Sequence, residues 1–149
     1  MSINAPDLTK RPPRSPRVRL GGYAVLPRLL DKGRAELAGT NGEYNYNCPL
    51  DQRFTQFVGI DALALRQELA AGKGDLEILQ WIHAHARNKH SPAEIEAWSK
   101  EQQQRKPEDA ESQKYFADLL AKAAPDRKEI TTWTELLDLD DYVSYGGKP

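Results

Sequence analysis

Gly39-Thr40-Asn41-Gly42-Glu43-Tyr44-Asn45-Tyr46-Asn47-Cys48-Pro49-Leu50-Asp51-Gln52-Arg53-Phe54-Thr55-Gln56-Phe57-Val58-Gly59-Ile60-Asp61 is the stretch on which the reading of the fold turns. It holds two of the six tyrosines, two of the three phenylalanines and the single cysteine. It is too irregular for a plain helix and too aromatic for a solvated loop. Asn41-Gly42 marks a turn. Glu43 to Asn47 alternates in the manner of a short extended segment. Cys48-Pro49 halts that segment and opens a helix whose apolar stripe is Leu50, Phe54, Phe57 and Val58, closed by Gly59. The stretch reads as a structured connector pressed between helices, with its polar side chains aimed at a site.

On the N-terminal side, Leu26, Leu29, Leu30, Gly33 and Leu37 recur at helical spacing. Asp31 and Arg34 fall three apart at the border of that face, where they are expected to pair. Gly33 lies inside the face and would let another backbone approach. Leu20-Gly21-Gly22-Tyr23 is a turn into this helix. Residues 1–19 form an extended arm, since Pro6, Pro12, Pro13 and Pro16 remove backbone donors and disfavour helix before them. The arm carries Arg11, Arg14, Arg17 and Arg19. It reads either as a solvated basic tail or as a strap that points arginines at an anion or at acidic groups.

On the C-terminal side, Asp61 is placed to cap a helix carrying Leu65 and Leu69. Gly72-Lys73-Gly74 breaks the chain. Asp75 is a second candidate N-cap, leading the broad stripe Leu76, Ile78, Leu79, Trp81, Ile82 and Ala86, which predicts the most buried helix. Ser91-Pro92-Ala93-Glu94 is a capping box. The helix it opens buries Ile95 and Trp98, then turns polar from Ser99 to Arg105 and is expected to face solvent. A further helix holds Tyr115, Phe116, Leu119, Leu120 and Ala123, and a last one Ile130, Trp133, Leu136 and Leu137. Leu139 to Gly147 has no helical pattern and reads as a docked, extended tail. No sustained strand periodicity is present. The expectation is an all-α fold: a single domain of about six or seven helices over residues 20–149, with extended N- and C-terminal segments.

A chain of 149 residues buries about 68–70% of its unfolded surface and needs no staple to fold. One cysteine excludes an internal disulfide and a multi-cysteine metal site, and points to a reducing, cytoplasmic setting. No apolar run reaches the roughly 18 residues of a membrane span. Net charge is −1, which argues against a general nucleic-acid binder. Residues 1–34 carry a balance of +6 and residues 129–149 one of −4, so the two ends should attract, within one chain or across a dimer.

Leu20-Gly21-Gly22-Tyr23, Leu26-Pro27-Arg28, Asp31-Lys32, Gly42-Glu43-Tyr44, Cys48-Pro49-Leu50-Asp51, Gly59-Ile60-Asp61 and Leu139-Asp140-Asp141-Tyr142 together resemble the bacterial domain-of-unknown-function family 5069, from Arg14 to Gly147. The resemblance implies a free-standing bacterial cytoplasmic protein and carries no activity with it.

No reaction is fixed by a motif. His83 and His85 lie on different helix faces, so no metal site is expected, and no glycine-rich pattern calls for a cofactor. Cys48 precedes a helix start, which favours a thiolate, but reads more simply as a small buried residue. Asp31, Glu43 and Asp51 could converge for acid–base work, or serve as a helix-face ion pair, a turn contact and an N-cap. Arg14, Arg17, Arg28 and Arg34 suit a phosphate or carboxylate, or pairing with Glu43, Asp51 or the acidic tail. The sequence thus favours a non-catalytic binding or interaction protein. The alternative is a small enzyme or binder of an anionic metabolite, using Arg28, Asp31, Arg34, Glu43, Tyr44, Tyr46, Cys48 and Asp51 between the first helix and the connector. A homo-oligomer joined through the Asp75–Ala86 stripe is a third reading.

Overall fold

The computed structural model describes residues 3–149. In chain order it has a two-residue pair of strands, β1 (Arg19–Leu20) and β2 (Tyr23–Ala24), and then seven helices. These are α1 (Leu26–Leu37), α2 (Pro49–Val58), α3 (Ala62–Ala70), α4 (Asp75–His85), α5 (Pro92–Gln104), α6 (Ala110–Ala123) and α7 (Trp133–Ser144). The mostly helical single domain matches the expectation. The strands were not foreseen, but their turn chemistry is local. Gly21 and Gly22 have φ of 60° and 86°, and a two-residue hairpin turn with both φ positive suits glycine at each position. Among the described residues no helix is long and apolar enough to cross a membrane.

Helix α1 is the axis of the main core. Ten of its twelve residues are buried, more than in α4, where Leu76 stays 64% exposed. The expected ranking of these two helices is therefore reversed. Leu26, Leu29 and Leu30 pack with Phe54 and Val58 of α2, Leu65 and Leu69 of α3, and Ile78 and Ile82 of α4. Gly33 does admit a close neighbour, but it is the Leu69 side chain and the Tyr46 ring, not a backbone: a Cβ there would lie 2.6 Å from Leu69 Cδ1. A second, smaller core joins α6 and α7 through Phe116, Leu136 and Leu139, with Ala124 and Ile130 from the intervening loop.

Helix ends follow their caps. Asp61 Oδ1 accepts the Leu63 N–H at 3.2 Å, and Ser91 Oγ accepts the Glu94 N–H at 3.2 Å. Asp75 is not a cap. Gly74 holds that position, Glu77 Oε1 accepts its N–H at 3.0 Å, and Asp75 is left free for arginines. The tail expected to be extended is helical through Ser144. Thr132 and Glu135 form a capping box ahead of it, and Leu136, Leu139 and Val143 continue one apolar face past the acids that obscured it. The polar half of α5 is not wholly solvated either. Ser99 is 0% exposed, its Oγ accepting the Ala24 N–H at 2.9 Å and donating to the Gly22 carbonyl at 2.6 Å. Replacing Ser99 with alanine leaves that buried N–H unpaired, and is expected to cost about 1–3 kcal/mol in urea-induced unfolding.

The N-terminal segment straps the domain. Leu8 is 1% exposed and its N–H reaches the Thr40 carbonyl at 2.8 Å. The opposite charges of the two ends meet within the chain, where Arg17 Nε lies 2.9 Å from Asp138 Oδ2. A neutral contact joins the same ends, as Tyr145 Oη donates to the Leu8 carbonyl.

Candidate functional site

Because α1 is enclosed, its charged residues must be matched in place. Arg28 Nη1 donates to Asp141 Oδ2 of α7 at 2.8 Å, and both side chains are buried. Asp31 does not pair with Arg34. It accepts the Arg14 N–H at 2.8 Å and the Arg14 guanidinium, while Arg34 Nη1 turns to Asp75 Oδ1 at 2.8 Å. Arg14 bridges the two acids through a further 2.8 Å contact to Asp75. Burial works to raise the Asp75 carboxyl, but hydrogen bonds from Arg14 and Arg34 outweigh it and hold it below its ordinary value. None of these arginines goes to Glu43 or Asp51.

Lys32, absent from the sequence-derived set, is 4% exposed and occupies the start of α2. Its Nζ lies 2.9 Å from Asp51 Oδ2 and donates to Cys48 Sγ at 3.2 Å. Asp51 is not the N-cap. Cys48 is, and Asp51, at the third helical position, accepts the Cys48 N–H at 3.3 Å. Lys32 shares α1 with Arg28, Asp31 and Arg34, but nothing in the helical pattern shows that its ammonium meets Cys48, sixteen residues away. The connector residues divide. Tyr44 Oη donates to Asp141 Oδ1 at 2.7 Å, and burial together with that acid holds its phenol protonated well above the usual range. Tyr46 turns into the core and donates to the Ala62 carbonyl at 2.7 Å. Glu43 stays at the surface.

Two cavities open beside this cluster. One, of about 580 Å³, runs between the start of α2 and the α6–α7 pair, and is walled by Pro49, Leu119, Trp133 and Leu136 with Arg53 and Arg105. The other, of about 800 Å³, is walled by Leu8, Arg28, Lys32, Glu43, Tyr44 and Tyr145. Both also touch Cys48, Leu50, Tyr115, Leu137 and Asp140, so the two lie side by side and together form a groove. Of the expected site residues, Arg28, Glu43, Tyr44 and Cys48 line it. Asp31, Arg34, Tyr46 and Asp51 do not. None of the three histidines reaches either cavity, so Cys48 has a lysine neighbour and no imidazole base.

A family model described as "Domain of unknown function (DUF5069)" matches residues 10–143. The chain belongs to this family. The match takes in all of α1 to α6 and nearly all of α7, hence most of the residues that line the groove. No curated protein matches the chain.

On the floor of the groove, partial desolvation first, and then the charge of Asp141, raise the Asp140 carboxyl above its ordinary value. For an acid with a raised folded-state pKa, the stabilising contribution is full below the unfolded value of 3.8 and is lost as pH rises through the folded one. Asp140→Asn should therefore melt at a higher temperature than the wild type near neutral pH. The difference should shrink toward zero as pH falls below about 4, a comparison read by thermal melts across pH.

Proposed function

We propose that this chain is a non-catalytic binding protein that takes a small molecule into the groove between α2 and the α6–α7 pair. The observation that carries the reading is the pair of cavities lying side by side along a shared wall of Cys48, Leu50, Tyr115, Leu137 and Asp140. The smaller cavity has mainly apolar walls with a few placed polar groups, which is the usual form of a ligand site, and the larger one is of mixed character. Binding is favoured over catalysis because three of the groove's titratable groups are already committed and the two guanidiniums unpaired among the described residues, Arg53 and Arg105, suit binding an anion better than moving a proton. Arg28 is held by Asp141, Lys32 by Asp51, and the Tyr44 phenol by Asp141. A half-buried thiol with no second cysteine to pair with supports a reducing, cytoplasmic setting.

A thermal-shift screen of small metabolites against the wild type and Leu137→Trp tests the reading. The larger side chain should fill the groove. At about 100 times its Kd a ligand contributes about 2.7 kcal/mol, which is about 5–10 °C for a domain of this size. The expected result is at least one such compound, with the shift lost in the variant. A screen in which nothing shifts the wild type, or every hit shifts both proteins equally, rejects the groove as a binding site.

A further inference from the structure

The buried charges among the described residues are matched, but two half-buried arginines are not. The guanidiniums that enter the folded interior from the N-terminal half, Arg14, Arg28 and Arg34, each have an aspartate within 3.0 Å. Arg53 of α2 and Arg105, which caps the end of α5, line the same 580 Å³ cavity. Among the described residues neither makes a salt bridge or a side-chain hydrogen bond, and the Arg53 Nε is buried without a partner. The backbone that presents Arg105 is tied down, since its carbonyl accepts the Trp133 N–H at 3.0 Å. Burial, and then the like charge of Arg53, lower the Arg105 pKa, outweighing the opposing pull of Glu108 and Glu101. Two always-charged forks that share a partly dry wall cost free energy unless an anion lies between them.

We infer that Arg53 and Arg105 clamp the carboxylate of an amphipathic ligand whose apolar body lies against Tyr115, Leu119, Trp133 and Leu136. This rests on the groove being a ligand site. The planar fork of arginine matches a carboxylate in a bidentate way. The neighbouring walls are aliphatic and aromatic, which suits a hydrocarbon tail better than a bare inorganic anion. Asp140 lines the part shared with the second cavity, whereas the two arginines line only the first, which also holds Leu119, Trp133 and Leu136.

Octanoate, acetate, octanol and octylamine serve as probes, titrated by calorimetry into the wild type, Arg53→Gln and Arg105→Gln. Octanoate should bind the wild type at least about tenfold more tightly than each of the other three, a difference of about 1.4 kcal/mol. Each glutamine variant should lose that preference, and its melting temperature without ligand should hold or rise, because a like-charge repulsion is relieved. An arginine with a structural role would lower it instead. Where a glutamine variant does not fold, Arg53→Lys and Arg105→Lys carry the test. They keep the charge but lose the fork, and an unchanged preference for octanoate overturns the clamp. Octanol or octylamine binding as tightly as octanoate, with Leu137→Trp still blocking them, overturns the clamp and leaves the groove as a ligand site. Acetate matching octanoate overturns the apolar subsite. No binding by any probe, together with a metabolite screen that yields nothing, overturns both.

Discussion

Arg28 and Asp141 stand 113 residues apart in the chain and meet in the interior at 2.8 Å, with the Tyr44 hydroxyl on the second oxygen of the same carboxylate. This one junction ties α1, α7 and the connector together. A buried pair of this kind adds little net stability over an apolar replacement, but losing one partner leaves an unpaired charge at a cost of about 3–5 kcal/mol. Its structural effect is to specify position. With α7 held against α1 at Asp141, the following residues are brought to Tyr145, where the hydroxyl meets the N-terminal strap at Leu8. The two ends of the chain are thereby closed over the connector.

The groove follows from having two cores in place of one. The larger core surrounds α1 with α2, α3 and α4, and the smaller joins α6 to α7. Between them the start of α2 faces Tyr115, Leu119, Trp133 and Leu136, and the faces do not close. Cys48, Lys32 and Asp51 terminate one bank of this seam by satisfying one another at the first turn of α2, while Asp51 Oδ1 stays buried and without a partner among the described residues. Arg53, further along α2, and Arg105 from across the seam are half-buried arginines that no acid pairs with among the described residues.

The legible parts of the fold were those written in short-range chemistry. Ser91 with Glu94, Asp61 at its cap, Pro49 after Cys48 and left-handed Gly59 mark helix ends through bonds that span only a few residues. Reading Asp140 and Asp141 as the end of helical pattern failed because periodicity treats an acid as a surface residue. Asp141 is buried, and only the arginine of a distant helix makes that possible. Ser99 failed in the same direction: a hydroxyl on a polar stretch is indistinguishable from a solvated one until the hairpin that it serves is beside it. The candidate site was half legible. Connector residues Glu43, Tyr44 and Cys48 do border the groove, as does Arg53, whose place in the helical pattern gives no sign of a cavity, while Lys32, Arg105 and Asp140 enter from elements outside the connector.

The amino-acid order alone determined that this chain is helical, where most of its helices begin and stop, and that its ends carry opposite charge. These properties arise from backbone propensity, caps and composition, which act over one or two turns. Only the tertiary structure decided which charges cancel and which do not. Asp75 serves two arginines, Arg28 takes Asp141, and Arg53 and Arg105 are left facing a cavity. Pairing depends on distances of a few ångströms between residues tens of positions apart, and such distances exist only once the helices have packed.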